Sequence, residues 1–198
     1  MFQTAFGVII PFPEKMKEAF QLIEHGLRFQ VSFEKLGAML DEFFAQLEEP
    51  LFFVLQLPLT QQEEEARYQT CEGPFHDKVC YLDGQTKEQI REILRQYGEL
   101  LLNDGISQFG VASHGTGDEM FVQKYKLVDI YCHDPQMYFN FLQKYGLKQT
   151  DKLLSPWDTF THETPGNSRA IEINSIQVFD VYDALVKLGM YDAKVIEA

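Results

Sequence analysis

Residues 106–132 read ISQFGVASHGTGDEMFVQKYKLVDIYC, and this stretch decides the fold. Three β-rich runs, 106–112, 119–125 and 126–132, follow one another with almost no chain between them. Parallel neighbours need a crossover of about a dozen residues or more, so strands this close pair antiparallel. The link "SHGTGDE" (113–119) has three readings: a reactive centre, a phosphate cradle or a turn. A dinucleotide fingerprint needs a third glycine where Met120 stands, and a Walker-type loop needs its lysine. Both also run into a helix, whereas the residues after Gly117 have strand character. A tight hairpin link accounts for the segment, with Gly115 and Gly117 supplying positive φ and Asp118 the exit.

Outward from this run the helical periodicities appear. Met16, Ala19, Phe20 and Ile23 stand at i, i+3, i+4, i+7, with Gly26 as a stop, which predicts a first helix. Ser32 is placed to cap a second one carrying Phe33, Leu36, Leu40, Phe43, Phe44 and Leu47 on one face. Thr86 and Gln89 form a capping-box pattern ahead of Ile90, Ile93, Leu94, Tyr97 and Leu101. Asp134 and Pro135 are a helix-start pair before Tyr138, Phe141, Leu142 and Tyr145, with Gly146 beyond. A last helix is expected from Asn174 or Ser175, burying Phe179, Tyr182, Leu185 and Val186. "LFFVLQL" (51–57) is apolar throughout and predicts a buried central strand stopped by Pro58. "KVCYL" (78–82) and "RAIEI" (169–173) complete the strand candidates, and "QQEEEARY" (61–68) can hold a short helical turn.

The pattern predicts an α+β fold, a mostly antiparallel or mixed sheet with helices packed on it and an N-terminal helical portion. A chain of 198 residues suits one domain over 1–198. Within it, 1–58 can stand as an N-terminal helical subdomain beside a core over 78–198.

Seventeen basic against thirty acidic side chains give a formal charge of −13. Such a charge repels phosphate backbones, which argues against nucleic acid and favours a basic protein partner. The start, "MFQTAFGVII", has no basic residue ahead of its apolar run, unlike a signal peptide. No apolar stretch approaches the ~20 residues of a membrane-spanning helix. Cys71, Cys80 and Cys132 include no CxxC pair and read as reduced cytoplasmic thiols, although Cys71 and Cys80 could close a loop.

Chemistry-bearing motifs are sparse. His162-Glu163 lacks the second histidine of HExxH, there is no G-x-S-x-G elbow, and neighbouring Ser113 and His114 diverge in an extended chain. Cys132 and His133 diverge for the same reason, and Asp134 serves better as a cap. The remaining catalytic reading assembles His114, Asp118 and His162 around a divalent ion, as in a metal-assisted hydrolase or a small-ligand-binding protein. The long connection 147–168 has interface chemistry instead. It holds the single tryptophan, Trp157, with Asp158, Phe160, His162 and Glu163, and Arg169 follows. The acidic run Glu63, Glu64 and Glu65 is a second candidate contact. The favoured expectation is a non-catalytic, acidic, cytoplasmic interaction module of bacterial type, of the immunity or inhibitor kind, binding a basic protein and needing no cofactor.

Overall fold

The computed structural model describes residues 2–68 and 75–197. In chain order the elements are β1 (Val8–Ile9), β2 (Ala19–Ile23), β3 (Gly26–Gln30), α1 (Phe33–Gln46), β4 (Leu51–Pro58), α2 (Gln61–Tyr68), β5 (His76–Gln85) and α3 (Lys87–Asn103). They continue with β6 (Gln108–Ser113), β7 (Glu119–Val122), β8 (Val128–Tyr131), α4 (Phe139–Lys144), β9 (Lys148–Gln149), β10 (Asn167–Ser168), α5 (Val178–Val186) and β11 (Tyr191–Glu197). Nine strands form one sheet in the order β11-β5-β4-β6-β7-β8-β3-β2-β9, and β1 pairs with β10 separately. Every pairing in the large sheet is antiparallel except β2 with β9. The α+β fold is thus the one the run 106–132 calls for. β4, the apolar "LFFVLQL" strand, lies inside the sheet between β5 and β6.

The helix expected around residues 16–23 is instead the hairpin β2–β3, in register Ala19↔Gln30 to Ile23↔Gly26. The same apolar residues satisfy both periods over so short a span, and pairing of β3 with β8 selects the extended one. Gly26 is a strand residue and not a helix stop. Its φ is 147°, and a Cβ there would lie 1.9 Å from the Ile130 carbonyl oxygen. The expected helical character of this N-terminal part is therefore confined to α1 and the single turn Pro13–Lys15.

Two corrections fall near the C-terminus. Residues 169–173 are not a strand of the sheet; only Ile173 bridges, to Ile176, around a turn in which Asn174 and Ser175 have φ of 52° and 61°. The last helix therefore starts later, on a box between Gln177 and Asp180, and buries Val178, Val181 and Leu185 while Val186 is exposed. Past Gly189 the chain becomes β11, an edge strand on β5 that the helix-end reading leaves out. The Thr86–Gln89 box holds at 3.2 and 2.8 Å, and the Asp134 cap on Gln136 at 3.0 Å. Ser32 precedes α1 without capping it by side chain, and accepts from the Gln3 amide instead.

One face of the sheet meets the helices. Phe29, Phe53, Leu55, Leu82, Phe109, Val111, Met120 and Ile130 pack in one core with Leu40 and Phe43 of α1, Ile90 and Leu101 of α3, Phe141 and Leu142 of α4, and Val181 and Leu185 of α5. That core runs from Phe20 to Met190, so the β2–β3 hairpin and α1 share it with the rest of the chain. Among the described residues no helix is long and apolar enough to cross a membrane.

Candidate functional site

Side chains alternate across a strand, so each strand that contributes to the core also presents a second set to the opposite face. Read across the registers, one row of that face runs Tyr191, Tyr81, Val54, Gly110, Phe121, Asp129, Arg28, Gln21. The adjacent row runs Phe52, Ala112, Glu119, Tyr131, Gly26, Ile23. None of these residues belongs to the helix-packed core. Val54, Gly110 and Ala112 are small, and larger aromatic and charged side chains flank them in both rows.

Two buried carboxylates on this face are neutralised in place. Asp129, 1% exposed, accepts a bidentate pair from Arg28 Nε and Nη2, both at 2.7 Å, and further bonds from Gln123 and the Tyr131 hydroxyl. Burial, and then the charge of Asp129, push the Tyr131 phenol up to about 12. Asp77 takes Gln56 at 2.8 Å and Gln108 at 3.2 Å, with Lys124 Nζ at 3.4 Å. Carboxylates removed from water need such cations and donors. Asp129 is supplied on both oxygens, whereas Asp77 takes all three contacts on Oδ2 and its Oδ1 is buried without a partner.

Glu119 differs. Its carboxyl is half-buried and has no hydrogen-bond or ion-pair partner among the described residues. Desolvation, reinforced by the charge of Asp129 and opposed by Lys194, raises it to about 7. It sits beside Ala112, between Phe52 on one side of the row and Tyr131 on the other. A chain of ring contacts extends from there, with Phe52 to Tyr81 at 5.7 Å, Tyr81 to Tyr191 at 6.3 Å and Phe52 to His114 at 4.8 Å. Asp83 accepts from the Tyr191 hydroxyl at 2.6 Å and faces His114 Nε2 at 3.5 Å. Aromatic rings and a desolvated carboxyl without an ion pair on one sheet face are chemistry that suits an organic cation, through ring quadrupole and charge together.

The turn 114–117 is a hairpin link between β6 and β7. Its amides are all engaged: His114 with the Pro50 carbonyl, Gly115 and Thr116 with Ser113 Oγ, Gly117 with the Ser113 carbonyl and Asp118 with Thr116 Oγ1. No amide is left to cradle a phosphate. Of the two glycines only Gly117 has a positive φ, 74°.

His114, Asp118 and His162 are not brought together. His114 packs on Phe52, Asp118 accepts from the Tyr138 hydroxyl at 2.8 Å, and His162 is exposed on the loop after Phe160. Among the described residues no group of three His, Cys, Asp or Glu is placed to hold a metal ion. Cys71 lies outside the described residues. Cys80 and Cys132 are free, and burial raises them to about 12 and about 11, so neither is an activated thiolate.

The 155–163 loop sits at the other end of β7, against the β7–β8 connection. Trp157, Phe160 and Tyr125 pack mutually edge-on at 4.7, 4.9 and 5.3 Å, and Trp157 remains 49% exposed. Asp158 is a cap here: it accepts from Ser155 N and Oγ, which lowers it. His162, Glu163 and Arg169 are exposed. Of the acidic run, Glu63 pairs with Lys78 at 3.0 Å, buried Glu64 binds His76, and Glu65 accepts from Gln61. That run closes the α2–β5 region and does not present three free carboxylates.

Glu119 and its aromatic neighbours escape sequence reading because no motif marks them. Their signal was the alternation of "EMFV" and "VDIY", in which a charged residue recurs within an apolar strand and points to a second, polar face. The fold and site define an α+β protein with a helix-backed sheet and an uncovered aromatic–acidic face. No family model, curated protein or solved structure matches the chain.

Proposed function

We propose that this protein is a non-catalytic interaction module that receives a basic segment of a partner protein on the uncovered sheet face. A cationic side chain lodges beside Glu119, flanked by Phe52, Tyr81 and Tyr131. The single observation that carries the reading is the Glu119 carboxyl: desolvated, with Lys194 near enough to act on it only at a distance and no ion pair or hydrogen bond among the described residues, on a face rich in rings. The formal charge of −13 supports it, since an acidic protein steers a basic partner at long range. Trp157, half-exposed at the far end of β7, serves as a second anchor, with Phe160, His162, Glu163 and Arg169 around it. An inhibitor or immunity role against a basic effector in a reducing cytoplasm is the concrete form of this reading. The free thiols of Cys80 and Cys132 agree with that setting.

The test uses an arginine-rich peptide, its lysine counterpart and a glutamate control, titrated by calorimetry in buffers of different ionisation enthalpy. A cation beside Glu119 lowers its pKa from about 7. Binding at pH 7 must therefore release protons, and affinity must weaken as pH falls toward 5.5. Glu119→Gln abolishes the proton release, and Tyr81→Ala weakens binding about tenfold, the scale of a hot-spot aromatic. Binding of the basic peptides that is independent of pH and untouched by both substitutions refutes the reading.

A further inference from the structure

A second feature stands against the acidity of the whole chain. Where β9 joins the sheet alongside β2, a cavity of about 400 Å³ is lined by Lys15, Lys17, Lys148 and Lys152. The volume is that of a small-molecule site. Lys15 and Lys17 come from the segment entering β2, and Lys148 and Lys152 from the segment around β9, over a hundred residues later. Four of the chain's seventeen basic residues thus share one cleft.

These cations are mostly uncommitted. The Lys17 and Lys148 ammonium groups have no ion-pair or hydrogen-bond partner among the described residues. Lys15 Nζ lies 4.0 Å over the Phe12 ring, and the charge of Lys152 acts on Asp158 without an ion pair. The acidic lining residue, Glu18, is already neutralised, because it accepts from Lys35 Nζ at 2.6 Å and the Ser32 amide at 3.0 Å. Its carboxyl is held below the usual range even against the opposing effect of burial. The cleft therefore keeps its positive charge, and a concave wall focuses such a field.

The walls are built. Gln30, buried in the cavity lining, ties the two segments together through Nε2, donating to the Lys17 carbonyl at 2.8 Å and the Leu154 carbonyl at 2.9 Å. Its Oε1 is buried without a partner. Ala19, Leu153 and Leu154 add an apolar patch to the lining.

We infer that this cleft binds a small phosphate ester: a multiply charged head among the lysines and an apolar part against Leu153 and Leu154. Phosphate suits the site better than carboxylate. Ammonium groups approaching from two walls need an acceptor with oxygens in several directions, and a planar carboxylate offers only two. The phosphate could belong to a free metabolite or to a lipid headgroup, and the inference is for the free ester.

Pyrophosphate is the probe, added to the full chain, with sodium chloride at matched ionic strength, succinate, and phosphatidylcholine vesicles carrying a phosphoinositide as the other arms. Saturating pyrophosphate should raise Tm by about 5 °C through selective binding to the native state. Amide shifts should appear at 148–152 in a heteronuclear NMR titration. The double variant Lys17→Glu, Lys148→Glu should lose the Tm rise and at least about tenfold in affinity, as reversing two charges in a cleft predicts. Its unliganded Tm should stay close to that of the parent, since neither ammonium holds the structure; were it to unfold, Lys17→Gln alone would serve. An equal Tm rise from sodium chloride or succinate overturns the inference. So does retention of pyrophosphate binding in the double variant, or vesicle binding without any pyrophosphate effect.

Discussion

Phe52 and Phe53 are chain neighbours of identical chemistry, and they belong to different worlds. Phe53 points into the helix-packed core and is fully buried; Phe52 points to the other face, half-buried, in contact with His114 and Tyr81. The two faces of one sheet are governed by different terms. Area removed from water dominates the first. On the second, each polar group must find a partner or remain available for one, so the face carries paired carboxylates (Asp77, Asp129) and an unpaired one (Glu119). Adjacent positions can thus be assigned to the helix-packed core or to the open face by parity alone.

The largest expected effect tests that parity. Phe53→Ala should cost about 3–5 kcal/mol, transfer plus cavity, whereas Phe52→Ala should cost under about 1.5 kcal/mol. Denaturant unfolding of the two variants decides it, and equal losses would break the distinction between the faces.

Next is the paired part of the open face. Asp129→Ala leaves the Arg28 guanidinium facing Gln123 and Tyr131 without its carboxylate, and should cost about 2–3 kcal/mol, the low end for breaking a buried pair because Arg28 is partly solvated. Replacing both partners, Arg28→Met with Asp129→Leu, should recover most of that loss. If the double variant is no better than the single, the pair is not what holds β3 to β8.

Smaller still is the hairpin link. Gly117→Val puts a β-branched residue at φ 74° where no heavy atom lies within 4 Å of the new Cβ, so backbone conformation alone should cost about 1–2 kcal/mol. His114→Ala should cost less, losing the ring contact with Phe52 and the solvent-exposed approach to Asp83. The reverse order in urea denaturation would move the importance of this segment from its turn to its histidine.

The smallest effect is on the unpaired carboxyl and sharpens the comparison by sign. Glu119 titrates near 7 folded against an ordinary 4.5. Between those values the native state holds the extra proton, so stability falls as pH rises from 4.5 to 7 and stays lower above. With screening at a half-buried site, the loss is about 1–2 kcal/mol. Glu119→Gln should flatten this slope. Urea midpoints of parent and variant across pH 4.5–8 check it.

Much of the fold was legible where local signals agreed. Thr86 with Gln89 combines a terminus signal with the matching period and forms as read. Asp134 with Pro135 opens a 3-10 turn, Pro135–Tyr138, that leads into the short α4, and the crowded run 106–132 forms three antiparallel strands shorter than the sequence suggests. The Met16–Ile23 segment failed because four apolar residues over eight positions fit a helix stripe and a strand pair alike, and the Glu24-His25 turn lacks the usual hairpin residues. Residues 169–173 failed because β-propensity is a statement about available neighbours, and no strand of the sheet lies beside them. The Glu63–Glu65 run reads as a free acidic surface in sequence, yet Lys78 and His76 claim two of its three carboxylates from across the α2–β5 connection.

Residue order by itself determined the sheet's antiparallel character, the capped helices, the turn at Gly117 and the charge of the whole, because each depends on the geometry or ionisation of neighbours along the chain. Tertiary structure decided the rest. Glu119 acquires its raised pKa only when β6 and β8 close over it on either side and β8 brings the charge of Asp129 near. Lys17 meets Lys148 only because β9 docks on β2. Desolvation and electrostatic potential are set by distance through space, and residues remote in sequence supply both.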